Sequence, residues 1–437
     1  MQGVRAMARW LGPTGLGPYN LGLFGLGLCC LAGAPAAAEE ARAQTRNAYQ
    51  PNGETLTIDE KGITLTFPDD VAKLRIGGKL QLDFGVAGIR QAGFPEPFPE
   101  NFAVRRSWIE SYLTLGKSLE LAFQYDFADP MRPINDAAAA YTGFENTLLT
   151  VGNMKEPFSL DQLTSDNNTL FTERSLADAF APARNFGFAV GRHGEDWTVV
   201  ASVFGGNANT GVTREGVAAT ARATYAVIHE ENRVLHLGLA GSVRDLPRDG
   251  SGLALSSRSE AFLFQRTFVD TGDIRDASGV RRIGLEAAYR DGPFLVQAEY
   301  IRTDVDRFGG APSAGFQGGY IQASVVLNGK GRAYKLAPDY GTTYAIFSGV
   351  QVPEADRVSR GGIGVFELGT RFSAIDLDDA GIRGGIERDV TVGLNWYPDR
   401  NIRIVADYVR SHTSPSAVQG GRTLDADTFI GRFQLYW

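Results

Sequence analysis

Apolar and polar residues alternate along most of the chain. In Lys73–Phe84, Leu74, Ile76, Leu80, Leu82 and Phe84 alternate with Lys73, Arg75, Lys79, Gln81 and Asp83. In Ser118–Ala128, Leu119, Leu121, Phe123, Tyr125 and Phe127 alternate with Glu120, Gln124 and Asp126. The same period returns in Asp389–Tyr397 and Asn401–Val409. A period of two puts each apolar set on one face of a strand. A soluble sandwich turns that face to a core, whereas a transmembrane barrel turns it to lipid and keeps a polar lumen. Three features favour the barrel. The strands are about ten residues long, enough for a tilted strand to cross a bilayer. Aromatics recur at predicted strand ends, as Trp108, Trp197, Tyr300, Trp396 and Tyr408, which suits interfacial girdles. The chain also ends on a strand, with Phe429, Phe433, Leu435 and Trp437 on one face.

Connection lengths give a topology. Short turns are expected at 116–118, 145–147, 193–196, 229–232, 291–293 and 398–401. Long connections are expected near 87–101, 129–135, 156–185, 207–215, 244–280, 305–315, 375–387 and 412–424. Short turns belong on the periplasmic side and long loops outside. Seventeen strand-like patches are present, and the weak one is Arg258–Phe268. Folding it into the 244–280 loop leaves about sixteen strands, the even number that a single-chain bacterial barrel requires. Residues 329–361 then form a long periplasmic connection, and the pattern gives no reason for its length. A barrel of that size is wide enough for an aqueous channel.

Residues 1–38 read as an export leader. Arg5 and Arg9 precede an apolar, Gly-rich run from Leu21 to Ala32, and Ala36–Ala38 supply small residues before Glu39. The two cysteines, Cys29 and Cys30, lie in this segment, so the mature chain is expected to hold no disulfide. Residues 39–72 form a polar lead-in with one short strand between Thr55 and Phe67, and residues 73–437 the barrel domain. The formal charge is −7; losing the leader removes two arginines and no acid, which makes it −9. A net acidic chain argues against a nucleic-acid partner. The 53 glycines and 11% aromatic content fit turn-rich β-structure. The four histidines, His193, His229, His236 and His412, have no metal-ligand spacing. No nucleophile–base motif and no Gly-rich nucleotide fingerprint is present, so neither a catalytic triad nor a cofactor is expected.

The segment Glu156–Phe180, EPFSLDQLTSDNNTLFTERSLADAF, interrupts the alternation. The run Val151–Gly191 that contains it resembles the signature region of the phosphate- and polyphosphate-selective porins of the O/P type. FAVRRSWIESYLTL, WTVVASVFGG, GPFLVQAEYIRT, FELGTRFSAIDLDD and VTVGLNWYPDRNIRIVADYVR follow in the family's order across residues 73–437. The resemblance implies a sixteen-stranded, homotrimeric porin in the outer membrane of a Gram-negative bacterium. It also implies that the loop after the fifth strand folds inward as a constriction. On it, Arg174, between Glu173 and Ser175, falls where the family places the arginine of its ERS motif, and Thr164 and Ser165 on its Thr-Ser pair. Gln162 stands where phosphate-selective members carry a lysine, and Asp166 where they carry a serine.

The expected anion contacts are therefore Arg174, Thr164, Ser165 and Lys155. A ladder of wall cations is expected from Arg75, Lys79, Arg106, Arg222, Arg282, Arg371, Arg403 and Arg432, since arginine's planar fork suits phosphate. The rival reading of the ladder is that it pairs with Glu110, Glu120, Asp126, Glu286, Glu367 and Asp407. The function expected is passive diffusion of small hydrophilic solutes, anions such as phosphate or polyphosphate. The alternatives are a general or weakly cation-preferring porin, an outer-membrane barrel hydrolase, and a secreted soluble β-protein. Expected partners are small anions, outer-membrane lipid and, through Trp437, the barrel assembly machinery.

Overall fold

The computed structural model of the protein describes residues 53–59, 62–90, 98–210, 216–248, 252–338 and 341–437. The expected leader 1–38 and its cysteines lie outside them. The period-two segments pair into sixteen antiparallel strands. They are β1 (Ala72–Arg90), β2 (Phe98–Leu115), β3 (Leu119–Asp126), β4 (Ile134–Phe144), β5 (Thr147–Lys155), β6 (Arg184–His193), β7 (Trp197–Phe204) and β8 (Ala218–His229). Then follow β9 (Arg233–Asp245), β10 (Ala277–Asp291), β11 (Phe294–Arg307), β12 (Ala314–Val326), β13 (Val365–Asp379), β14 (Ile382–Asp399), β15 (Ile402–Ser416) and β16 (Arg422–Tyr436). Each pairs with its sequence neighbour, and β16 pairs with β1 from Asp425↔Arg90 to Tyr436↔Lys79. The sheet thus closes into a barrel, leaving no edge of unpaired amides to face hydrocarbon. The terminal Trp437 completes the seam by exchanging two backbone hydrogen bonds with Gly78.

Alternation sorts the strands into two faces. Along β7 every second residue is buried, with Thr198, Val200, Ser202 and Phe204 inside and Trp197, Val199, Ala201 and Val203 outside. Exposed outer residues on other strands are apolar too, among them Leu239, Leu285, Ile321 and Phe372. The inner face carries the buried charges, including Asp83, Arg222, Glu286, Glu299, Arg371, Asp407 and Arg432.

The turns at 116–118, 145–146, 194–196, 230–232, 292–293 and 400–401 all fall at one end of the barrel. Strand parity puts the 327–364 connection at that same end. The weak patch Arg258–Phe268 does not span. It lies in the β9–β10 connection, between two-residue strands at Ser256–Ser257 and Val269–Asp270.

Three expectations change. The lead-in holds two paired strands, Thr55–Asp59 and Gly62–Thr66, and the second adds to β1 from Ile63↔Ile76 to Thr66↔Lys73. It occupies the stretch of β1 that β16 does not reach. The loops expected at 375–387 and 412–424 shrink to 380–381 and 417–421, because the flanking strands continue pairing beyond the apolar band. Trp108 is no girdle residue: it shares the inner face with Arg106 and Glu110 and is buried. The 329–361 connection, whose length the pattern left unexplained, folds inward, with Tyr344, Phe347 and Val350 buried against the inner wall.

The outer face gives a direct check. Leu239, on β9 opposite Ala223 and Leu285, is half exposed in the apolar band. Leu239→Arg should destabilise the barrel by about 2–4 kcal/mol. Reversible urea unfolding in lipid vesicles measures this, and an unchanged midpoint would contradict lipid exposure of that face.

Candidate functional site

Three segments occupy the interior. The first runs from Glu156 to Ala183, between β5 and β6. It holds only one turn of α-helix, Leu160–Leu163, and a short 3₁₀ turn at Leu176–Phe180. Its backbone amides and carbonyls therefore need partners from elsewhere. The barrel wall supplies them. Arg403 Nη2 donates to Leu170 O at 2.9 Å and its Nη1 to Asn167 O at 3.3 Å. Arg371 Nη2 donates to Glu173 O at 2.9 Å, Asn395 Nδ2 to Leu170 O at 2.9 Å, and Gln434 Nε2 to Asn167 O at 3.2 Å. Arg432 reaches Thr172 O at 2.5 Å while gripping both oxygens of Asp83 at 2.6 and 2.7 Å. Acidic wall residues take the amides. Glu299 accepts from the Leu160 and Asp161 N–H groups at 2.9 and 2.6 Å, and Asp407 from the Thr172 N–H at 2.7 Å.

Apolar side chains fix the same segment from below. Phe158, Leu176 and Phe180 pack with Ile301, Phe316, Tyr320 and Ile375 of the wall. Four wall glycines act as sockets. A Cβ added at Gly284, Gly318, Gly369 or Gly393 would stand 2.9–3.0 Å from the side chain of Phe158, Phe180, Leu170 or Phe171 respectively. That is tighter than ordinary van der Waals contact, so a side chain there would push the facing residue aside.

The second segment is the 246–276 connection, whose Glu260 receives Arg371 Nε at 2.9 Å and the Ser373 and Thr391 hydroxyls at 2.5 Å each. The third is 329–361. Arg332 donates to Glu367 at 2.7 and 2.8 Å and to Asn168 O on the first segment. Thr342 Oγ1 donates to Lys155 O at 2.6 Å, and Arg222 Nη1 to Tyr344 O at 2.6 Å.

The expected contact residues accordingly do different work. Arg174 is not directed at open space: Nε donates to Asp161 O at 2.9 Å, and Nη2 to Thr164 O at 2.8 Å and Asp166 Oδ1 at 3.1 Å. It ties the segment to itself. Lys155 Nζ points the same way, to Gln162 O at 2.5 Å. Thr164 Oγ1 donates to Leu160 O at 2.7 Å, and Ser165 Oγ accepts from the Asn167 N–H at 3.3 Å. Of the expected ladder, Arg222, Arg371, Arg403 and Arg432 are likewise held, because the irregular segments need their donors. Arg222 also pairs with Glu286 at 2.6 Å. Arg282 lies on the inner wall, its Nε and Nη1 buried without a hydrogen-bond partner among the described residues. Of the expected acid partners, Glu110 and Glu286 do pair with ladder cations, whereas Glu367 pairs with Arg332.

Asp166, the departure noted in the sequence, is the hub. Arg106 Nε lies 3.1 Å from it, Arg174 Nη2 3.1 Å and Lys79 Nζ 3.7 Å. Burial pushes its carboxyl up, but Arg106, Lys79, Arg174 and Lys155 outweigh this and hold it well below the ordinary range. Glu173 is likewise depressed: burial opposes, and Arg105 and Arg432 prevail. Asp178 goes the other way. Burial lifts it to about 6, with Asp161 adding to the rise and Arg174 opposing it.

Beside these segments lies a cavity of about 640 Å³ against β1–β6. Six cations line it: Lys73, Arg75, Lys79, Lys155, Arg184 and Lys335. Four acids face them: Glu110, Glu120, Asp136 and Asp166. Lys79 Nζ stands 3.8 Å above the Trp108 ring and Arg75 lies 4.2 Å from the centre of Tyr112. Lys73 and Arg75 form no ion pair among the described residues. Lys73, Arg184 and Lys335 were not singled out from sequence. Lys73 and Arg184 were legible, on the alternating polar face and inside the Val151–Gly191 signature; Lys335 had no signal.

The family described as phosphate-selective porin O and P matches residues 47–437. Porin O of Pseudomonas aeruginosa is 26% identical over 458 residues, covering 92% of this chain and 97% of that protein. A Caulobacter vibrioides protein without an assigned function is 25% identical, covering 86% and 75%. Among solved structures, an anion-selective porin from Comamonas acidovorans aligns with a TM-score of 0.55 at 10% identity, over 84% of this chain and 100% of that one. OmpT of Vibrio cholerae aligns at 0.51 and 12% identity, over 85% and 99%, and a trimer form of it at 0.50 and 11%, over 84% and 100%. These structures share the fold.

The lifted Asp178 carboxyl has a signed consequence. Its folded pKa lies above the unfolded value, so this group costs stability as pH rises from about 4 through about 6. Asp178→Asn should therefore stabilise the protein by about 1–3 kcal/mol at pH 8 and leave it unchanged at pH 3. Thermal unfolding in detergent at both values measures this, and an equal effect at both would refute the lifted carboxyl.

Proposed function

The chain belongs to the phosphate-selective porin O and P family, and on that premise we propose that small anions diffuse along the β1–β6 side of its barrel. The protein is an outer-membrane porin, a channel and not an enzyme. The observation that carries the path is the cavity of about 640 Å³ with six cations against four acids. The β9–β14 side is filled by the 156–183 and 246–276 segments, whose apolar residues form one core with those strands.

An anion leaving water needs donors to replace its hydration, and fixed cations lower the electrostatic cost of that step. Lys73 and Arg75 meet the solute near the short-turn end. Lys79, Lys155 and Arg184 stand deeper, beside Asp166, Glu110 and Asp136, which moderate their field. This arrangement supports weak, multi-site attraction, as conduction requires. The 156–183 segment sets the narrowing, and Arg174 acts through its shape. Thr164 and Ser165 serve the same framework. The 329–361 segment bounds the path from the other side through Lys335 and Thr342.

Export through the 1–38 leader, insertion through the terminal strand with Trp437, and assembly as a homotrimer complete the reading. Phosphate or polyphosphate is the solute class that the family name supports.

Reversal potential across a planar bilayer in a salt gradient tests the proposal. Wild-type protein should be anion-selective, with phosphate reducing chloride current. The double variant Lys73→Glu, Arg75→Glu should lower the anion-to-cation permeability ratio by about tenfold. Arg174→Lys should leave the sign of selectivity unchanged. A cation-selective wild type would overturn the anion reading and favour a general porin.

A further inference from the structure

The outer surface carries a feature that the channel does not use. On the outer side of β1, β14, β15 and β16, the apolar band gives way to charge, with Val390 opposite Arg410 as its last apolar residue on β14. Val86, Phe429, Tyr408 and Val392 lie opposite one another in register and are all about half exposed. Two residues further along each strand, away from the short-turn end, Asp427 faces Arg410. Two residues further again, Arg90, Asp425, His412 and Arg388 form one continuous cross-strand row. An apolar and aromatic row is thus replaced by a charged row within four residues.

The charges in this patch are unevenly partnered. Asp427 takes Arg90 Nη2 at 2.6 Å, Arg410 Nη1 at 2.7 Å and the Tyr408 hydroxyl at 2.6 Å. Asp425 takes Arg410 Nη2 and the His412 ring, each at 3.1 Å. Both carboxylates are therefore fully engaged in spreading Arg90, Arg410 and His412 along the wall. Arg388 is exposed, and its side chain has no hydrogen bond or ion pair among the described residues. Within these four strands, three arginines against two aspartates leave the patch positive.

We infer that this patch is a docking surface for the phosphate group of an anionic glycolipid in the outer leaflet, with Arg388 as its principal contact. The inference rests on the reading of the chain as an outer-membrane porin, which places the β1–β2 end of the patch outside the cell. Tyr408 belongs to the aromatic level that marks the edge of the hydrocarbon. The row beyond it lies at headgroup depth, where a lipid phosphate stands and a soluble phosphate is not concentrated. Arg388's fork offers the two parallel donors that a phosphate accepts. Arg410 stays close on the adjacent strand β15 to add field without giving up its aspartates, and Arg90 lies three strands away on β1.

Native mass spectrometry of the full-length protein in detergent tests this. The probes are bisphosphorylated lipid A, the same lipid with its phosphates removed, and inorganic phosphate. Wild-type protein should hold the bisphosphorylated lipid about tenfold more tightly than the dephosphorylated one. Arg388→Gln should remove that difference, Arg388→Lys should restore part of it, and inorganic phosphate should not displace the lipid. Bilayer conductance and heat-modifiable migration of both variants should equal wild type, and loss of barrel behaviour in the wild type would refute the porin reading itself. Equal retention of the two lipids by wild-type protein, which needs no variant, overturns the proposal. So does unchanged retention by Arg388→Gln, or displacement by inorganic phosphate.

Discussion

A long irregular backbone inside a barrel must find hydrogen-bond partners that regular structure would have given it for nothing. That requirement organises this interior. The 156–183 segment has little helix and no strand, so its carbonyls turn outward to the wall. Arg371, Arg403 and Arg432 answer them, and Glu299 and Asp407 answer the amides. Guanidinium groups suit the task because one fork can satisfy a carbonyl and a carboxylate together, as Arg432 does with Thr172 and Asp83. Breaking one such pair would strand a buried charge, which costs far more than the pair gains.

The same requirement bears on the path proposed above. Donors that hold backbone cannot also greet a solute. Lys73 and Arg75 on β1 form no ion pair among the described residues, whereas Lys155 on β5 already holds the Gln162 carbonyl of the insert. The acidic substitution at Asp166 then reads as structural glue, since Arg106, Arg174 and Lys79 converge on it. A carboxylate in a pore does not by itself make the pore select cations.

The barrel was legible because period-two patterning records which way each side chain faces. Strand number followed from connection lengths and closure. Side-chain roles were less legible, for a specific reason. Alternation shows that Arg174 or Arg403 is inside, but whether it meets water or a carbonyl depends on what else enters the lumen. The 329–361 segment carries no period, and only contacts such as Arg332–Glu367 reveal that it does enter. Trp108 misled because an aromatic at a strand position suits a girdle and a lumen equally well; the parity shared with Arg106 and Glu110 decides for the lumen.

The glycine sockets at 284, 318, 369 and 393 lie on four different strands, yet they match four apolar residues of a single segment. Wall and insert are therefore a lock cut for one key. An insert borrowed from a related barrel would bring its own bulges to a surface hollowed elsewhere, and would fail to seat however suitable its charges. Changing the solute preference of such a channel by exchange of parts means moving the hollows together with the piece that fills them.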